Sequence, residues 1–291
     1  MTSNFKYIHN KSFDMAIYWS VTNYCNFSCP GCIDNSKKID TPYISEKINI
    51  PDLKKFLERL NKTVKIVFTG GEALLIENII DAFVEITKNN YIGLVSNFTS
   101  PKIKEFSEKI NPDRVIVIKA SAHILQLEKN NLLDTFFTHY NLLKSKGFNI
   151  FAQEIAYPVL TDKVQKYKKM FMDKGIELDF HAYRGMWNGK KYPDSYTEEE
   201  YKIFNFKKYY NGSKDKHYRK NQLCNAGYNV VIARKNGIIY PCYGIKKKLG
   251  NLYRGVKLYK KLIKCPIKYC DCPFLDMDAY LFNKAIAEDR G

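Results

Sequence analysis

The chain lacks any long hydrophobic run: no stretch approaches the ~20 consecutive apolar residues that span a bilayer, so no membrane partner is expected. It lacks a secretory start, because MTSNFKYIHNKSFDMAIYWS has no apolar centre ending in a small-residue cleavage site. It is poor in arginine, with seven against forty lysines. It shows no internal repeat and no low-complexity tract. What it does have is 291 residues, 45% hydrophobic and 26% charged, which excludes a disordered chain and allows one large domain or one large plus one small.

Two further quantities stand out: a net charge of +17 and eight cysteines. Specific reading of phosphate or base edges favours arginine, whose planar fork takes two acceptors at once. A lysine-dominated excess therefore reads first as a bias spread over the solvated surface, with some room for an anionic partner. Without a secretory signal the chain is expected to be cytoplasmic, where thiols stay reduced, so the cysteines read as metal ligands or reactive groups.

The first 180 or so residues alternate β-branched and amphipathic runs. Strands are expected at 16–21, 64–68, 92–97, 115–121, 150–155 and 176–181, with helices near 51–60, 75–88, 102–110, 125–146 and 162–174. Pro51 opens the first helix, and Gly147 stops the long one. Such alternation makes an α/β fold with a parallel sheet, here a partial (β/α)6 TIM-like barrel, whose function belongs at the C-terminal ends of its strands. After His181 the rhythm stops. YRGMWNGKKYPDSY reads as a loop, Thr197 to Glu200 as a capping box, and 229–234 with 238–240 as a hairpin turned at Lys235-Asn236-Gly237. The expected division is a barrel over 1–195, a helical linker over 196–220, and a small cysteine-rich domain over 221–291.

Cys25, Cys29 and Cys32 form C-x3-C-x2-C just past the first strand. Three thiolates from one loop can wrap an iron–sulfur cube and leave one iron open. Zinc with a fourth ligand from elsewhere is the competing reading. The segment resembles the signature of radical S-adenosylmethionine (SAM) enzymes. Thr69-Gly70-Gly71-Glu72 follows the second strand, where that superfamily carries its Gly-Gly-Glu segment beside the methionine amino group of SAM. The resemblance implies SAM contacts from Gly70, Gly71 and Glu72, and also from Ser96, Asn97 and Ser121 at the ends of strands three and four. The chain departs from the pattern at Gly31, where the family usually has an aromatic residue.

The other five cysteines extend the resemblance. Cys224 and Cys242 bracket C-x12-G-x4-C, followed by Leu249-Gly250-Asn251-Leu252 and by Cys265, Cys270 and Cys272. This is similar to the auxiliary-cluster domain of the SPASM/twitch subgroup, and five cysteines fill one four-cysteine site with one to spare. The implied cofactors are a 4Fe-4S cluster that binds SAM, SAM itself, and one auxiliary 4Fe-4S cluster. A zinc knuckle uses the same ligands. The implied chemistry is reductive cleavage of SAM to a 5′-deoxyadenosyl radical, with a flavodoxin or ferredoxin-type reductant as partner.

Candidates for substrate chemistry alternate onto one face of a strand: Lys119, Ser121 and His123 on the fourth, Asp179, His181 and Tyr183 on the sixth. Glu154 ends the fifth. His123 and His181 are expected to accept protons near neutral pH, and Arg184 to bind an anionic group. Trp187 and Tyr192 read as packing or as stacking surfaces. The expected reaction is oxidation or epimerisation of a small polar molecule such as a sugar, an aminocyclitol or a nucleotide-linked sugar. A peptide maturase is the alternative, although 24 residues ahead of Cys25 leave no space for a leader-binding domain. A zinc-dependent nucleic-acid binder leaves Gly-Gly-Glu and the β/α rhythm without purpose, so nucleic acid is not the expected partner.

Overall fold

The computed structural model describes residues 11–32, 36–39, 44, 46–206, 218–269 and 279–289. Cys270 and Cys272 lie outside the described residues. Six strands run parallel in sequence order: β1 (Met15–Thr22), β2 (Val64–Gly70), β3 (Tyr91–Ser96), β4 (Val115–Ser121), β5 (Ile150–Ala156) and β6 (Leu178–Ala182). No pairing joins β6 back to β1 among the described residues, so the barrel is open.

The helices follow from the apolar spacing. α1 (Ile50–Leu60) buries Leu53, Phe56 and Leu57, and Asn49 caps it by accepting from the Asp52 N–H. α2 (Ile79–Thr87), α3 (Lys102–Lys109), α4 (Ile124–Lys129), α5 (Leu133–Ser145) and α6 (Val164–Met172) cover the outer face of the sheet. The single helix expected over 125–146 is two. Asn131 takes a left-handed φ of 56°, and the Asn130 side chain donates to the Gln126 carbonyl, ending α4 before α5 begins. The expected loop after His181 contains a hairpin, Gly185–Trp187 against Lys190–Tyr192, turned at Asn188-Gly189 with both φ positive. The capping box forms as read and starts α7 (Glu198–Phe204).

The two faces of the sheet have different contents. Outward residues such as Trp19, Phe68 and Ile118 join Phe83, Phe106, Phe136 and the helices in the main core. The parallel register sets Val95 beside Lys119, Lys119 beside Phe151, Ser121 beside Gln153, Gln153 beside Asp179 and Ile155 beside His181. Phe151 belongs to a second, inner core with Ala16, Tyr18 and Val67, so this row faces the lumen.

The C-terminal region shares the barrel's sheet. β7 (Val230–Ala233) lies parallel to β1 and forms the expected hairpin with β8 (Ile238–Tyr240), followed by β9 (Gly250–Asn251) and β10 (Gly255–Val256). The result is one ten-stranded sheet with β10 and β6 at its edges. The last helix, α8 (Ala279–Asp289), places Leu281 in the inner core. Its Tyr280 hydroxyl meets both the Phe13 N–H and carbonyl, and Lys284 pairs with Asp14 at 2.6 Å. Phe13 and Asp14 precede β1, so α8 seats at the N-terminal end of the strands, opposite the cysteine loop.

Candidate iron–sulfur site

Beyond β1 the chain forms a two-residue strand, Tyr24–Cys25, paired in parallel with Lys37–Lys38. The turn between them carries Cys29 and Cys32 at the C-terminal mouth of the sheet. Several contacts fix this loop. The Asn97 side-chain amide donates to Asn26 Oδ1 at 2.8 Å, and Asn26 donates in turn to Thr99 Oγ1 at 2.8 Å. The buried Phe27 ring meets His123 edge-on, with centroids 6.3 Å apart. The Ser28 N–H donates to Gln126 Oε1 at 3.2 Å.

The Gly-Gly-Glu turn grips the same loop from the other side. The Gly71 N–H donates to the Thr22 carbonyl and the Glu72 N–H to the Tyr24 carbonyl, each at 2.8 Å. A Cβ added at Gly71 would lie 2.0 Å from the Tyr24 carbonyl oxygen, so only glycine permits this approach. The wholly buried Glu72 carboxylate accepts from Leu74 N–H (3.0 Å) and Ser96 Oγ (2.9 Å) on one oxygen, and from Asn97 N–H (2.7 Å) on the other. Burial pushes this acid above the ordinary carboxylate range, against the pull of those three donors. Within this structure Glu72, Ser96 and Asn97 form a brace between the ends of β2 and β3.

Electrostatics at the thiols are hostile to unassisted anions. Burial first, then Glu72 and Cys32, push Cys25 up to about 12. Burial, Cys25, Cys32 and Glu154 push Cys29 upward as well. Buried thiols that resist ionisation alone, as Cys25 and Cys29 do, suit a positively charged metal centre that would stabilise their anions. Among the described residues no three His, Cys, Asp or Glu side chains converge on the single point that one ion needs. A cubane would take each thiolate on a separate iron and so does not require that convergence.

Gly31 departs from the expected aromatic for a visible reason. Its φ is +60°, and a Cβ there would lie 2.2 Å from the Tyr183 hydroxyl. The ring of Tyr183 occupies that space, with Tyr157 5.2 Å and Trp187 6.0 Å away between centroids. Sequence reasoning passed over Asn26, Thr99 and Tyr157. Of these, Asn26 carried a signal, since it lies inside the cysteine motif.

The lumen beside the loop is polar, with Lys119 and Asp179 in one row. Burial, then Lys119 and Arg184, lower His181 to about 3. Burial and Lys119 lower His123 to about 4. Both imidazoles are therefore neutral at pH 7, and the expectation that they titrate near neutrality is not met. His123 sits at φ 38° with a buried Nδ1 that has no hydrogen-bond partner. Glu154, expected with the catalytic group, alternates to the outer face. Its oxygens accept from the Ile124 N–H (2.5 Å) and the Ile155 N–H (2.6 Å), and burial raises it to about 8. It holds the start of α4, and with it the backbone next to His123. Replacing Lys119 with methionine is expected to move the NMR titration midpoints of His123 and His181 upward together. A shift in one alone would contradict a Lys119 that faces both.

Cys224, Cys242 and Cys265 of the second group lie in the C-terminal region. Leu223–Cys224 pairs with Ile263–Lys264, and the Cys265 N–H donates to the Gln222 carbonyl at 2.8 Å. Gly244, two residues past Cys242, packs 3.0 Å from Ile267 by the position of an added Cβ, itself 3.9 Å from Cys242 Sγ. Cys224, Cys242 and Cys265 thus share one end of this region.

The parallel open barrel carries a three-cysteine loop at its mouth, and both features have counterparts among known proteins. Residues 16–139 match the family model described as a 4Fe-4S single cluster domain. The fold is similar to that of anSMEcpe with bound AdoMet, with TM-score 0.60, 18% identity, and coverage of 90% of this chain and 87% of that one. It is also similar to Streptococcus suis SuiB, with TM-score 0.55, 14% identity, and coverage of 83% of this chain and 64% of that one. An uncharacterized protein of Methanocaldococcus jannaschii is 32% identical over 102 residues, or 31% of this chain. That stretch spans about a third (35%) of the relative's length.

Proposed function

We propose that the chain is a radical SAM enzyme that takes a hydrogen atom from a small polar, anionic substrate in an oxidation or epimerisation. The observation that carries this reading is the three-thiol loop pinned over a lumen row containing Lys119, Ser121, Gln153, Asp179 and His181, with Arg184 beyond it. Cys25, Cys29 and Cys32 would hold the cluster, and the backbone at Gly70 and Gly71, with Ser121, would line the adjoining SAM site. When bound, the cluster and SAM supply one-electron cleavage and a 5′-deoxyadenosyl radical. The protein's own contribution is placement. Lys119 and Arg184 attract and orient an anionic group. Neutral His181 and His123 offer hydrogen bonds without adding charge. The Tyr157, Tyr183 and Trp187 wall excludes water beside the thiols. Cys224, Cys242 and Cys265, with a fourth ligand from Cys270 or Cys272, would hold the auxiliary cluster.

A second reading, peptide modification, has one support. Among the similar folds, one structure is titled anSMEcpe with bound AdoMet and Cp18Cys peptide, and another SuiB bound to precursor peptide SuiA. Both readings share the first chemical event. Anaerobically reconstituted protein reduced with dithionite is expected to convert SAM to 5′-deoxyadenosine, measured by chromatography. Absence of that product from iron-loaded protein sinks both.

A further inference from the structure

The positive charge is not spread over the surface. Residues 218–269 contain thirteen Lys and Arg and no Asp or Glu, whereas the rest of the chain holds 34 basic against 30 acidic residues. All thirteen except Arg219 and Arg234 are exposed. Packing brings several of them towards the second cysteine group, while Lys235 lies over the Tyr24 ring on the barrel side. The Lys247 ammonium lies 5.7 Å from the Tyr259 ring centroid, which joins the run Lys246-Lys247-Lys248 to Lys257, Lys260 and Lys261. Leu223 pairs with Lys264 next to Cys224 and Cys265, and Gly244 against Ile267 brings the Cys242 segment to Lys268. Among the described residues the ion pair made by this region is Lys235 with Glu46, at 3.7 Å. Thirteen like charges in 52 residues repel one another, and the three acids that follow in sequence, Asp271, Asp276 and Asp278, can offset only part of that charge.

We propose that the face around Cys224, Cys242 and Cys265 docks an acidic polypeptide, a segment carrying several Asp or Glu side chains. Ten of the thirteen cations are lysines, mobile point charges that suit carboxylates at irregular spacing, and the forked guanidinium that phosphate and base recognition favours is scarce. The exposed rings each have a protein neighbour: Tyr218 packs edge-on to Tyr269 at 5.8 Å, Arg234 lies over Tyr243 at 5.4 Å and Lys268 over Tyr269 at 5.5 Å. Electrostatic docking of this kind gives fast, salt-sensitive encounter. The inference is independent of the reaction proposed above, and its test reads binding alone.

Fluorescein-labelled decaglutamate is the probe, followed by anisotropy with the full chain. Binding is expected at about 50 mM salt and is expected to weaken about tenfold or more by about 200 mM. The triple variant Lys246→Glu, Lys247→Glu, Lys248→Glu is expected to raise Kd about tenfold, and Lys260→Glu with Lys261→Glu and Lys264→Glu to do the same. Reversing Lys54, Lys55 and Lys104, exposed on α1 and α3, is expected to change it less than about twofold. Absence of decaglutamate binding, or equal losses from the barrel reversal, overturns the proposal. Tighter binding of labelled decauridylate RNA also overturns it, in favour of a nucleic-acid face.

Discussion

Replacing Cys25, Cys29 and Cys32 together with alanine is expected to remove roughly half the iron from anaerobically reconstituted protein and to abolish 5′-deoxyadenosine formation. Two cubanes hold about eight irons, and the loop accounts for one of them. The loss should be complete, because none of the contacts that hold the loop brings a fourth thiol to it among the described residues. The fold should survive. The three side chains are half-buried, while the loop's anchors, Asn26, Phe27 and the Gly71 and Glu72 N–H groups, are unchanged. Iron and acid-labile sulfide per chain, with far-UV circular dichroism as control, make the measurement. Equal iron in variant and parent would refute the loop as a cluster site. Loss of all the iron would keep the loop assignment and remove the auxiliary cluster.

The second large effect is expected at Glu72. Alanine there strands the Leu74 and Asn97 N–H groups and the Ser96 hydroxyl in a site with no access to water. Each unsatisfied buried donor costs about 1–3 kcal/mol, so at least about 3 kcal/mol is expected in all. That is a large share of the ~5–15 kcal/mol that holds a domain folded, and it corresponds to a fall in Tm of about 10 °C. Hydrogen exchange should quicken at Asn97 and Leu74 before it does in the distant strands. A melting point within about 2 °C of the parent's would show that the brace is not made.

Much of the architecture is local and could be read residue by residue. Pro51 with Leu53, Phe56 and Leu57 gives α1, Thr197 with Glu200 gives the capping box, and Asn236-Gly237 gives the β7–β8 turn. The cysteine loop is equally visible because its three thiols are adjacent in sequence. What escaped depends on partners far along the chain. Glu154 reads as a lumen acid by its place at a strand end, yet its parity and the Ile124 N–H turn it to the helices. His181 reads as a neutral-pH base until burial and the Lys119 and Arg184 charges are counted. The parallel pairing of β7 with β1 has no local signature at all. Two shorter signals were present but outweighed: Asn130-Asn131 inside a strongly helical run, and Asn188-Gly189 inside a Gly- and aromatic-rich one.

That pairing of β7 with β1 has a consequence for synthesis. Ala16 finds its neighbour at Val230, 214 residues later. At about 5–20 residues per second, the outer edge of β1 stands uncovered on the ribosome for roughly ten to forty seconds after the strand has emerged. During that interval the cysteine loop just beyond β1 also lacks the C-terminal region beside it. The newborn chain therefore passes through a stage in which an apolar strand edge and three thiols are exposed together, open at once to metal delivery and to mispairing.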